Sequence, residues 1–147
     1  MISVKIETKE LDDLVKRMQK DLGPQGMKKF FLKTSIVMYK DVLTHFEREE
    51  GPDGKWERWK GGRSTRPTKR GGSKMLQDTG RLRLSIQPSH SSESAVVGTN
   101  IEYAAIQNYG SSKKDHPARE FMWISDECVQ KIQDMASTLL EEGADAV

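Results

Sequence analysis

The chain has 147 residues, with 35% hydrophobic and 31% charged side chains. One domain is the default at this length, and a modest core can form without disulfide staples. A formal net charge of only +2 argues against a bulk nucleic-acid binder, and the single cysteine, Cys128, excludes an intrachain disulfide and a thiolate metal cluster. A lone thiol fits a reducing compartment such as a bacterial cytoplasm. The first residues lack the long apolar run of a signal peptide. Nowhere is there a run of roughly 18 apolar residues able to span a membrane.

Ile2, Val4 and Ile6 alternate with polar residues, which predicts a short strand with one buried face. Thr8 suits the N-cap of a following helix whose stripe is Leu11, Leu14, Val15, Met18 and Leu22. Gly23-Pro24 ends that helix and begins another.

The second helix is predicted over residues 25–50. One stripe contains Met27, Phe30, Phe31, Met38, Val42 and Phe46, with Thr34 and Val37 among them. A second contains Leu32, Ile36, Tyr39 and Leu43, nearly opposite the first at about 100° per residue. Lys29, Lys33, Lys40, Thr44 and Glu47 form a narrow wet arc. A surface helix on a monomer needs one apolar stripe. Two stripes mean either a central helix covered on both sides or an oligomer interface at Leu32, Ile36, Tyr39 and Leu43.

Residues 51–75 differ from the rest. Eight Lys/Arg stand there against two acids, a local +6 that leaves −4 for the remainder of the chain. Glycines and prolines break regular structure, so residues 51–73 read as a long, flexible basic loop. Its cations, Arg63, Arg66, Lys69 and Arg70 among them, are a solvated charge run, a contact for an acidic protein surface, or a contact for DNA phosphate. Trp56 and Trp59 can stack on bases, anchor a protein interface, or pin the start of the loop to the body.

Further on, Leu82, Leu84 and Ile86 alternate, as do Ala95 and Val97, with a turn-like stretch at residues 88–93; this predicts a β-hairpin. Residues 103–109 read as a short helix closed by Gly110, and residues 111–117 as a polar loop. Ser125 caps a last helix with Asp126 and Glu127 in its first turn and a stripe including Cys128, Ile132, Ala136 and Leu139. Residues 143–147 are expected to fray.

No catalytic constellation assembles. His45, His90 and His116 lack metal-ligand spacing, and His45 falls on the apolar side of the long helix, where packing is its natural use. There is no GxSxG elbow and no phosphate-binding GK[ST]. Cys128 sits on an apolar stripe as a small core residue. The Asp12-Asp13 and Glu49-Glu50 pairs are adjacent in sequence and do not face each other on a helix. The sequence therefore predicts no enzyme, no cofactor and no metal.

Five motifs occur in order: Gly51-Pro52-Asp53-Gly54-Lys55-Trp56 after the long helix; Met75-Leu76-Gln77-Asp78-Thr79-Gly80-Arg81-Leu82 with Ser85-Ile86; Val97-Gly98-Thr99; Tyr103-Ala104-Ala105-Ile106-Gln107-Asn108-Tyr109-Gly110; and Pro117-Ala118-Arg119-Glu120-Phe121. Over roughly residues 30–125 this set resembles the phage virion morphogenesis family, which includes tail completion proteins and is similar to head–tail-joining and tail-terminator proteins. Trp59 with Lys60-Gly61-Gly62, and Glu120 in place of a frequent Pro, depart from the family-like pattern.

The resemblance implies one α+β domain over residues 1–147: a small, mostly antiparallel sheet against the long and C-terminal helices. It implies a structural protein in the virion, at the tail end or neck and assembled in the host cytoplasm. There it forms a homo-oligomer, a hexameric ring that meets tail-tube or neck proteins, with a passing contact to DNA. Expected partner contacts are Trp56, Trp59, Arg63, Arg66, Lys69, Arg70 and Arg119, whose guanidinium can reach a carboxylate or carbonyl row. The competing reading is a DNA-binding module acting through residues 55–74.

Overall fold

A computed structural model describes residues 1–7, 12–57, 80–113 and 116–142. In chain order the elements are β1 (Ile2–Glu7), α1 (Asp12–Arg48), β2 (Glu50–Gly51), β3 (Gly54–Lys55), α2 (Arg81–Leu84), β4 (Gln87–His90), β5 (Ser94–Thr99), α3 (Ala104–Tyr109) and α4 (Asp126–Glu142). Three strands form an antiparallel sheet in the order β1-β5-β4, with a long helix packed on strands and a C-terminal helix; the fold is α+β.

The predicted break in the long helix is present. Gly23 leaves helical geometry at φ 67, ψ −178, and Pro24 restarts the helix where its missing N–H costs nothing. The hairpin around residue 90 is also present, but shifted. Residues 81–84 are helical, and the first strand is β4, Gln87–His90. Leu82 and Ile86 are buried while Leu84 is 73% exposed. Leu82 lies in this single helical turn and Ile86 just past its C-cap Ser85, so a stretch whose spacing reads as strand holds a short helix instead. Ser91 closes the turn by accepting from the Glu93 and Ser94 amides, at 3.1 Å each.

Residues 51–57 are not a plain loop either. β2 and β3 pair antiparallel, Glu50 opposite Lys55, with Pro52-Asp53 at the turn. The Asp53-Gly54 turn signal is therefore a hairpin. Residues 58–79, and with them Trp59, Arg63, Arg66, Lys69, Arg70 and the Met75–Thr79 motif, lie outside the described residues, as do Thr8, Leu11 and residues 143–147.

The chain divides into two compact units. The first comprises Met1–Ser3, Val42–Gln87 and Gly98–Trp123. Its buried residues include Val42, Phe46, Trp56, Leu82, Ile86 and Phe121. The second comprises Val4–Asp41, Pro88–Val97 and Ile124–Val147. There Val15, Met18, Phe30, Phe31, Met38 and Ile132 are buried. Thr34, in the middle of this apolar stripe, satisfies its hydroxyl by donating to the Phe30 carbonyl at 2.9 Å, four residues back. Ser125 caps α4 as predicted: its Oγ accepts from the Cys128 amide at 3.1 Å and donates to Asp41 Oδ1 at 2.6 Å, while Asp41 Oδ2 accepts from the Ser125 amide.

Candidate functional site

Two regions hold those residues singled out from sequence that are described. In the first unit, separate motifs meet. Trp56 is 5% exposed, lies edge-on to Phe46 at 6.0 Å, and donates its indole N–H to the Glu120 carbonyl at 2.9 Å. Phe46 also meets Phe121 at 5.0 Å. Arg119 is 1% exposed and donates from Nε to the Glu57 carbonyl at 2.9 Å. The Pro-Ala-Arg segment thus grips the chain just after the β2–β3 hairpin. Burial pushes the Arg119 pKa down and the nearby Glu57 charge opposes that shift; a guanidinium stays protonated throughout.

Asn108 completes this clamp. Its Oδ1 accepts both the Phe121 and Met122 amides at 2.9 Å, and the Arg119 amide donates to the Gln107 carbonyl at 2.8 Å. Gly110 lets the chain pass: at φ 76 it sits where a Cβ would lie 2.8 Å from the Ala118 nitrogen and the His116 oxygen. Elsewhere in the unit, Ser85 and Thr99 hydroxyls are 2.6 Å apart, and the Arg81 guanidinium lies over the Tyr103 ring at 5.8 Å. Gly98 is demanded by close approach, since a Cβ there would be 2.9 Å from the Ile2 carbonyl oxygen. Every motif of the ordered set that is described contributes to this one unit.

Trp56 and Arg119, expected as partner contacts, are therefore not at the surface. Both commit polar groups to main-chain carbonyls, and Trp56 takes the role of pinning the start of the basic segment. Asn108 was not separable by sequence from its helical neighbours; a short polar residue between Gln107 and Tyr109 was its only signal. Tyr103 is half-buried, but Tyr109 is 63% exposed.

His45 is 2% exposed, stacks on Trp123 at 3.8 Å and 9°, and donates from Nε2 to the Trp123 carbonyl at 3.1 Å. It is a packing residue. Cys128 is 2% exposed; burial, reinforced by the Asp41 charge, pushes its thiol up to about 12, far from a nucleophile's range. Among the described residues no His/Cys/Asp/Glu group could hold a metal, and no helix is long and apolar enough to cross a membrane.

The second region is the outer face of α1. Leu32 and Ile36 are 42% and 41% exposed, and Tyr39 and Leu43 are half-buried. The other stripe is closed: Phe30, Phe31, Met38, Val42 and Phe46 are each at 0%. Lys28, Lys29 and Lys33 are exposed beside Leu32 and Ile36. The sequence reading separated lysines from leucines, whereas the structure puts them on one open arc with an apolar centre and a basic border.

No curated protein and no solved structure matches the chain. The sequence does match the phage virion morphogenesis family, over residues 6–141, a span that takes in both the clamp and the open arc. On that match the chain belongs to the phage virion morphogenesis family and has a structural role in building the virion.

Proposed function

We propose that this protein completes or terminates a phage tail and enables the head to join it, as a homo-oligomeric ring at the tail end or in the neck. The ring is hexameric if it follows the related tail-terminator proteins. The protein acts through contacts with its own copies and with tail-tube or neck proteins, not through turnover. Family membership supports the morphogenesis role, and the observation that carries assembly is the open Leu32–Ile36 face. Apolar side chains that adjoin on one exposed face and are rimmed by polar residues mark an interaction surface.

The basic segment is the proposed contact to the next component. Arg63, Arg66, Lys69 and Arg70 meet an acidic surface on a tail or neck subunit, and electrostatic steering speeds that encounter. The clamp at Trp56 and Arg119 fixes the segment's first end.

Tails made without this protein supply the test. Added wild-type protein is expected to restore joining to heads and to show ring-shaped particles in negative stain. The Arg63→Ser, Arg66→Ser, Lys69→Ser, Arg70→Ser variant is expected to fold normally and fail to complement. Full complementation by that variant, with duplex binding the same as wild type, would reduce the segment to a solvated charge run. Loss of steeply salt-dependent duplex binding, with complementation intact, would favour the DNA-binding reading, which the local excess of eight cations over two acids motivates.

A further inference from the structure

Within the second unit, two helices present opposite charge to solvent. Residues 27–40 of α1 carry Lys28, Lys29, Lys33 and Lys40 and no acid. α4 carries five acids against one lysine, a net −4. Its buried face is Cys128, Ile132, Ala136 and Leu139. Asp126, Asp134 and Glu141 are exposed on the opposite side, and Val129 and Leu140 are half-buried along one margin. Lys131 is engaged with Glu127 at 3.5 Å, so the one cation on this helix is paired within it.

We propose that the open face of α1 around Leu32 and Ile36 docks onto the outward face of α4 in a second copy of this chain. This rests on the ring reading above and names the surfaces that make it. The occupant is a second copy because the complementary surface is on this same chain: an apolar margin bordered by acids answers an apolar margin bordered by lysines. The two patches differ, so the contact is heterologous. Each subunit offers one patch to each neighbour, which is the arrangement that closes into a ring when the rotation allows.

The orientation follows from helix geometry. At about 100° per residue, Lys29, Lys33 and Lys40 follow Leu32 and Ile36 in one rotational sense, and Lys28 alone lies on the other side. On α4, Glu141 and Asp134 follow Val129 and Leu140 in the same sense. Two right-handed helices facing each other then set apolar margin on apolar margin, and the three-lysine flank beside the acids, when they run antiparallel. A parallel pairing puts lysines over Val129 and Leu140 and acids over Leu32 and Ile36.

Charge reversal on each side tests the pairing. Lys29→Glu with Lys33→Glu sets acid against acid, and Asp134→Lys with Glu141→Lys sets lysine against lysine. Each double variant is expected to keep the wild-type circular dichroism melt, because all four positions are exposed, and to sediment as a monomer. Mixed in equal amounts, they are expected to regain the wild-type oligomer mass. Native mass spectrometry should then show rings with equal numbers of each variant, since only alternation satisfies every contact. If either variant alone keeps the wild-type mass, or if both dissociate and the mixture stays monomeric, the α1–α4 pairing is overturned. A wild-type chain that is itself monomeric at high concentration would overturn the ring reading instead, so the two failures are distinguishable.

Discussion

The two apolar faces of α1 are made of the same kinds of residue and meet opposite fates. Phe30, Phe31 and Met38 are wholly enclosed, while Leu32 and Ile36, one or two positions away along the chain, are about two-fifths exposed. Periodicity shows that a face is apolar; it does not show what covers it. The enclosed face is bordered by further apolar residues, and the open one by lysines whose heads must stay in water or meet acids. That border is what distinguishes the open stripe from the core stripe.

The comparison breaks most sharply at the enclosed face. Phe31→Ala should destabilise the subunit by about 3–5 kcal/mol, the range for removing a buried aromatic ring, and a urea melt would read it directly. A variant that lost under ~1 kcal/mol would mean that this stripe is not packed as described. Trp56→Phe keeps most of the ring but strands the Glu120 carbonyl. It should cost about 1–3 kcal/mol in the same melt, and complementation tests whether the basic segment needs that anchor. Ser125→Ala removes the α4 cap and should cost about 1 kcal/mol.

A further effect depends on pH. Folding raises the Cys128 thiol from 9.0 to about 12, so between those values the unfolded chain ionises and the folded chain does not. The folded state then holds the extra proton, and stability contributed at lower pH is lost as pH rises through this window. Cys128→Ala should flatten that part of the stability–pH curve, and the native thiol should resist alkylation until the protein unfolds. Smallest of all is Ile36→Ser, which should leave subunit stability within ~0.5 kcal/mol, as substitutions at exposed sites do.

The helical parts of the fold were legible because Gly23-Pro24, Ser125 and Gly110 punctuate clear apolar periodicities. The short elements were not. Leu82, Leu84 and Ile86 alternate as a strand would where a single helical turn forms, and β2 and β3 have two residues each, too few to show alternation. The clamp was half visible. Its motifs stand in order along the chain, but nothing in one dimension says that Trp56 meets Glu120 or that Asn108 holds Phe121 and Met122. Buried side chain to main-chain bonds depend on which carbonyls arrive nearby, and residue type does not encode that. For the same reason Arg119, expected to reach a partner's carboxylate or carbonyl row, is enclosed and donates to the Glu57 carbonyl of its own chain.

In the proposed assembly, one face of α1 packs the subunit's own core and the other holds subunits to each other. Sedimentation of Ile36→Asp beside the wild type, with a circular dichroism melt of each, tests it most directly. The expected result is a wild-type oligomer and a variant that runs as a 16.7 kDa monomer with an unchanged melt, because a charge on the open face is costly only when a partner buries it. A variant that stays oligomeric, or one that unfolds as a monomer, would contradict it.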